Sequence, residues 1–363
     1  MQLKTNRPPM RVMLRRVNKQ CHIGATVVFV HVLIAFDSER RNRHRSRQRL
    51  FNKRRLDASR TMVYHALLPA RYCKKVSQSG QHLSQHSRRP SKSSCERTTF
   101  IYMATAAVNG IEINYRDTGG DGPVVLFSHG FMMNHTMFDA QLEALAPDYR
   151  CVAWDERGFG GTRATGPFTY WDSANDALAL LDHLGIKQAV LAGMSQGGFL
   201  SMRAALTAPE RVSGLIFIDS AADLDDPETL EGNQKMVHVF ANGDDETRSF
   251  VFDIVGNMIL GDEHLEAEWK PIWAQLDIDQ IELAGATLLG RDDLVDRLGE
   301  ISCPTLVIHG TEDAAISLDR GYLLANGVRD SRGVVEVAGA AHAPNMTHPD
   351  EVNVAIREFL QSL

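Results

Sequence analysis

The sequence predicts an α/β protein built on a mostly parallel sheet. Three observations carry that expectation. Apolar runs of strand length recur from Val124 onward, each separated from the next by a segment of helix length and period. Tight-turn residues punctuate those segments, so strand and helix alternate instead of clustering. One interval, residues 222–300, breaks the rhythm with helical patches and no strand pattern, as an insertion over one end of a sheet would. The composition is that of a globular chain: 363 residues, 44% hydrophobic and 23% charged, which excludes a collagen, a coiled coil or wholesale disorder.

The elements are read in order along the chain. Asn109-Gly110 marks a tight turn between two short strands, a hairpin near Ala106 to Asp117. Gly119-Gly120-Asp121-Gly122 is a second turn, and Val124 to Ser128 a strand of buried type. Thr136 to Leu145 reads as a helix, Cys151 to Trp154 as a strand, Ser173 to Leu184 as a helix stopped by Gly185, and Ala189 to Ala192 as a strand. Gln196 to Leu206 is a helix ending near Pro209, and Val212 to Ile218 a strand. After the interruption, strands return at Thr305 to Ile308 and Val334 to Val337. A last helix begins at Pro349, with Asp350 and Glu351 where the helix dipole favours acids.

The net charge of −6 conceals a division near Met103. Residues 1–102 hold 23 Lys and Arg against 4 Asp and Glu, whereas 103–363 hold 16 against 41. The basic segment includes the run Arg40 to Arg60 and a polar tract from Gln78 to Ser94, and shows no sustained period, so disorder is expected there. Its apolar stretch, Ile23 to Phe36, is shorter than the roughly 20 residues that span a bilayer. An upstream extension from too early a start codon, an organelle targeting segment and a nucleic-acid-binding arm all fit this composition. The ordered domain is assigned to 103–363, with a cap at 222–300. Five cysteines without CxxC spacing predict neither a disulfide framework nor a structural zinc site.

Chemistry enters at Gly193-Met194-Ser195-Gln196-Gly197, a G-x-S-x-G between a predicted strand and a predicted helix. In that setting the glycines let strand and helix approach around a strained turn that leaves the serine hydroxyl exposed, with a helix N-terminus to favour developing negative charge. A serine nucleophile needs a base, and the base an orienting acid. His342, in a small-residue loop after the strand Val334 to Val337, is the candidate base, with His348 as its rival. Asp313, after the strand Thr305 to Ile308, is the candidate acid, with Asp219 and Glu312 as rivals; His309 is read as structural. The backbone N–H groups of Phe131, in the loop Ser128-His129-Gly130-Phe131, and of Gln196 are the candidate oxyanion donors. His129 is read as holding its loop by hydrogen bonds.

Together these features resemble the α/β-hydrolase superfamily across 105–363: the His129-Gly130 loop, the loop Asp155 to Thr162, the serine elbow, the acid after the penultimate strand and the late histidine. The resemblance implies an eight-stranded sheet with helices on both faces and a helical cap at 222–300. It also implies an ion pair between Asp155 and Arg157 that fixes a loop. In texture the chain looks most like 3-oxoadipate enol-lactonases and cofactor-free perhydrolases. It would then be a serine hydrolase of small carboxylic esters or lactones; a carbon–carbon hydrolase, a perhydrolase and a non-catalytic receptor are the alternatives. No cofactor or metal is expected, nor a nucleic-acid partner for 103–363 or a membrane span, and a cytoplasmic location is expected. Phe240, Phe250, Phe252, Met258, Trp269 and Trp273 of the cap, with Met132 and Met133, are the apolar candidates for the pocket walls; most are expected to pack the cap onto the sheet, with two or three at most touching substrate.

Overall fold

In the computed structural model, residues 102–363 are described; the basic segment and the readings made of it lie outside these residues. Eight strands form one sheet in the order β1-β2-β4-β3-β5-β6-β7-β8. β1 (Tyr102–Val108) and β2 (Ile111–Asp117) make the antiparallel hairpin. Asn109 at φ 48° and Gly110 at φ 78° give its two-residue turn the left-handed pair that matches strand twist. β2 joins β4 (Arg150–Trp154) antiparallel. The remaining pairs are parallel, through β3 (Val124–Ser128), β5 (Ala189–Met194), β6 (Val212–Ile218), β7 (Thr305–Gly310) and β8 (Ser331–Val337).

Alternate residues of each central strand enter opposite cores, the reason these strands are apolar throughout. Val125, Phe127, Val190, Ala192, Ile216 and Ile308 pack on one side. Leu126, Leu191, Leu215, Phe217 and Val307 pack on the other. The first side is covered by α1 (Asp139–Leu145) and α10 (Pro349–Gln361); the second by α2 (Tyr170–His183), α3 (Gln196–Thr207) and α8 (Leu318–Gly327). α2 starts on a capping box in which Thr169 and Asp172 satisfy each other's backbone N–H. The expected helix Thr136 to Leu145 is two pieces, a 3₁₀ turn His135–Phe138 capped by Asn134 and then α1.

The interruption is four helices: α4 (Pro227–Asn242), α5 (Asp245–Ile259), α6 (Glu263–Trp273) and α7 (Ile278–Leu289). Each N-cap is an aspartate (Asp226, Asp244, Asp262, Asp277) whose carboxylate accepts backbone N–H groups of the first turn. A short helix α9 (Pro344–Thr347) comes after the loop that leaves β8.

Asp155, at the end of β4, ties the loops together. Its carboxylate accepts the His135 amide at 2.8 Å, the His135 ring at 2.7 Å, Asn114 Nδ2 at 2.7 Å and the Gly161 amide at 2.8 Å. The expected pair with Arg157 is not formed. Arg157 turns instead to Asp176 on α2, with Nη2 at 2.8 Å from Oδ1. The two residues are neighbours on a loop that reverses direction, so each side chain reaches a different layer.

Burial alone would raise the Asp155 carboxyl. The hydrogen bond and charge of His135, with the charge of His129 and the Gly161 amide, outweigh it and hold the pKa at about 2, against an ordinary 3.8. A depressed carboxylate stabilises the fold above its unfolded pKa and loses that contribution as pH falls through its folded one. Asp155 should therefore contribute roughly 2 kcal/mol above about pH 4, lost progressively toward pH 2. Denaturant unfolding measured from pH 5 to pH 2 should show this loss in the wild type and a flatter dependence in Asp155→Asn.

Candidate active site

β5 lies near the centre of the sheet and is buried along its whole length, so the residue at its end is held firmly. That residue is Ser195, at φ 51° and ψ −115°, a left-handed conformation a serine adopts only where its surroundings enforce it. The Ser195 amide donates to Ile218 O at 2.9 Å, and Ser195 O accepts from the Gly198 amide at 2.9 Å and Ser220 Oγ at 2.8 Å. The backbone is thus pinned on both sides. Its hydroxyl makes no capping bond to α3 and stays available. The flanking glycines are steric necessities: a Cβ on Gly193 would run into the Gly197 backbone, and one on Gly197 into Ser128 O.

His342, in the loop between β8 and α9, is buried and places Nδ1 2.7 Å from Asp313 Oδ2. Asp313 stands just beyond β7. Its Oδ1 accepts the amides of Ala315 at 2.8 Å and Ile316 at 3.0 Å, and its side chain has no exposed surface. Burial raises this carboxyl, but the charge of His342 and hydrogen bonds from His309, His342 and Asp219 reverse the shift, leaving it well below the usual carboxylate range. Asp313 is therefore an ionised acceptor for His342 Nδ1–H, which leaves Nε2 as the acceptor nitrogen of the neutral ring. Of the rivals, Glu312 is exposed, and His348 meets Thr347 Oγ1 at 2.9 Å beside α10. Asp219 is buried beside Asp313 rather than beside the imidazole alone. His309 is fully buried with Nε2 on Ile316 O at 2.9 Å, a structural placement.

Ser195 and His342 line one cavity of about 90 Å³, with Gly130, Phe131, Met132 and Met133 of the loop after β3. That loop turns tightly, the Met133 amide donating to Gly130 O at 3.0 Å and Met132 sitting at φ 64°. Gln196 opens α3, so its amide is one of the helix's unpaired first N–H groups. His129 is held as expected: Nε2 accepts the Glu156 amide at 2.9 Å and Nδ1 meets Gly130 O at 2.8 Å. Burial pushes its pKa down to about 4, so the ring is neutral and locks the loop after β3 to the Asp155 loop.

The remaining wall comes from the cap, and, as expected, few of the named apolar residues reach it. Of the six cap residues singled out, Met258 alone lines this cavity; Phe240, Phe252, Trp269 and Trp273 pack the cap's own core. Met236, Val255, Ile259 and Leu288 line it instead, with Thr229, Asn233, Asp225 and Arg291 on a polar side. The sequence carried no signal for the polar support behind the site. Gln196 Nε2 donates to Glu156 Oε2 at 3.1 Å, and Tyr170 OH to Gln196 Oε1 at 3.2 Å. Glu156 is fully buried, and burial, with the charge of Asp176, pushes its pKa well above the usual range, so it is neutral there.

The model of the alpha/beta hydrolase fold matches residues 123–349. The chain belongs to this family. The 3-oxoadipate enol-lactonase 2 of Acinetobacter baylyi is 25% identical over 264 residues, 72% of this chain and 98% of that protein. A thermophilic esterase from Thermogutta terrifontis is 30% identical, with TM-score 0.64, covering 72% of this chain and 98% of that one. The enol-lactonase from Burkholderia xenovorans is 26% identical, with TM-score 0.65 over 71% of this chain and all of that structure. The hydrolase is similar to all three across the whole described domain. Among its described residues, no helix is long and apolar enough to cross a membrane. The His and carboxylate groups near enough to share an ion are Asp219, Asp313 and His342, but His342 Nδ1 and Asp313 Oδ2 are already committed to one another at 2.7 Å.

Replacing Asp313 by Asn tests the acid. The amide would present N–H to His342 Nδ1 and stabilise the tautomer that cannot act as base, so turnover should fall by about three to four orders of magnitude. Circular dichroism should show an unchanged fold. Steady-state kinetics with any substrate of the wild type checks this.

Proposed function

We propose that this hydrolase cleaves small carboxylic esters or lactones through an acyl-enzyme on Ser195. The observation that carries the reading is the shared cavity: an uncapped serine hydroxyl on a strained turn and the ring of His342, whose other nitrogen is held by Asp313. In this mechanism Ser195 Oγ attacks the substrate carbonyl carbon as His342 Nε2 takes its proton. Asp313 holds Nδ1–H and stabilises the imidazolium. The tetrahedral oxyanion is received by the amides of Phe131 and Gln196, the latter at the positive end of α3. Collapse expels the alcohol, protonated by His342, and leaves the acyl-enzyme. Water, deprotonated by the same nitrogen, then releases the acid. A lactone takes the same course, its leaving alcohol remaining attached to the acyl chain.

The cavity lining sets the character of the substrate. Methionines of the loop after β3, the end of β5 and the cap, with Val255, Ile259 and Leu288, suit a small, largely apolar acyl chain or ring. The esterase and enol-lactonase names among its relatives support a carbonyl substrate. Acyl transfer also explains a serine at the elbow, since a carboxylate there would form an alkyl ester with a saturated carbon instead.

The test is a panel assayed on one purified sample: aryl acetate, butyrate and octanoate, a five-membered lactone, an aryl carbamate, and peracid formation from acetate and hydrogen peroxide. Acetate or butyrate, or the lactone, should give the highest kcat/KM, with octanoate at least about tenfold lower. Peracid formation or carbamate cleavage exceeding all ester and lactone rates would replace this reading.

A further inference from the structure

Asp219 ends β6, and the acyl-enzyme mechanism gives it no task. Its backbone stands in the left-handed region at φ 45°, and its side chain is fully buried. Oδ1 accepts the Gly310 amide at 2.9 Å, while Oδ2 lies buried without a donor. Among the described residues, the titratable groups that face it are Asp313 after β7, His342 after β8 and His309 within β7. One carboxyl oxygen each of Asp219 and Asp313 and a ring nitrogen of His342 lie within 4.8 Å of one another. His309 Nε2 is 3.7 Å from Asp219 Oδ1 and 3.4 Å from Asp313 Oδ2, and already meets Ile316 O.

Two carboxyl groups this close, both shut away from water, cannot both be ionised. Their surroundings decide which keeps the charge. Asp313 accepts two amides and the His342 ring, whereas Asp219 accepts one amide and leaves an oxygen bare. The shifts run the same way: burial and then the charge of Asp313 drive the Asp219 pKa well above the usual range, while Asp313 is driven down.

We propose that Asp219 is a positioning residue that stays protonated throughout the reaction, its Oδ2–H hydrogen-bonded to the Asp313 carboxylate. The inference rests on the reading of Asp313 and His342 as acid and base. The bond does two things. It fixes the Asp313 carboxylate so that Oδ2 meets His342 Nδ1, and it draws off part of the charge that Asp313 presents to the imidazole. Without it, Asp313 would hold imidazolium more strongly, and less neutral His342 would be available as base near neutral pH.

The experiment compares Asp219→Asn with Asp219→Leu in the full chain, measuring kcat and KM against pH on an ester the wild type hydrolyses. Asn preserves both functions of a neutral acid, an oxygen for the Gly310 amide and an N–H for Asp313; Leu preserves neither. Leu should lower kcat about tenfold, leave KM within about twofold, and move the acidic limb of kcat/KM up by roughly one pH unit; Asn should restore both. A limb that stays in place in Leu, or an Asn variant as impaired as Leu, overturns the proposal. Should Leu fail to fold, infrared difference spectra of wild type against Asn decide. A carbonyl stretch of a protonated carboxylic acid should appear in the difference at neutral pH, present in the wild type and lost in Asn; a difference spectrum without it overturns the proposal. That readout needs no turnover. A wild type that cleaves no ester therefore contradicts the proposed function, and a missing band contradicts the protonated Asp219.

Discussion

The site depends on a single tight crossing, where the end of β5 turns into α3 through Ser195. A serine at φ 51° stores strain that the rest of the fold must hold in place. Three constraints do so: the Ser195 amide is bound to Ile218 O on the neighbouring strand, Ser195 O takes the Gly198 amide and Ser220 Oγ, and the glycines on either side let backbones meet where no Cβ fits. Because β5 is buried throughout and flanked by β3 and β6, the turn cannot relax without breaking the centre of the sheet. The strain keeps the hydroxyl away from the helix amides and facing the cavity.

Around that turn, the fold buries polar groups and decides the charge of each by its partners. Asp155, with four donors, is ionised and fastens its own loop to β2 and to the turn at His135. Glu156, one residue later, faces Gln196 and is neutral. Asp313 and Asp219 repeat the contrast on the other side of the site, one with amides and an imidazole, the other with a single amide. Each ionised carboxylate positions a histidine, and each neutral one stands behind a group of the reaction centre, the Gln196 side chain in one case and Asp313 in the other. Low polarity makes such arrangements costly if incomplete, which favours one rigid geometry over several loose ones.

Much of this was legible in the sequence. The strand and helix pattern was, because buried parallel strands are short apolar runs and the helices between them start and stop on recognisable residues: Val212–Ile218 and the start at Pro349 match the structure residue for residue. The placement of Ser195, Asp313 and His342 could be anticipated, because each comes after a strand at the same end of the sheet, and the structure sets Ser195 and His342 on one cavity with Asp313 behind the imidazole. The illegible part depends on tertiary contact. Arg157 could be read as a partner for Asp155, since nothing in the chain says that α2 brings Asp176 within reach. Which of the cap's apolar residues would reach the cavity could not be read, since such residues on an inserted helix pack inward or line a cavity with the same spacing; four of the aromatics pack inward and Met258 lines it. Glu156 and Asp219 carry no local sign of their protonation, which arises from burial and from neighbours distant in sequence.

The central claim is that Ser195 is an activated nucleophile with His342 as its base. The most direct measurement is intact-protein mass after exposure to a fluorophosphonate, which mimics the tetrahedral intermediate. One adduct per chain should form, located at Ser195 by peptide mapping, and none should form in a folded His342→Ala variant, because an unassisted serine hydroxyl is a weak nucleophile at neutral pH. A folded wild type that remains unlabelled, or labelling that persists undiminished without His342, would contradict it.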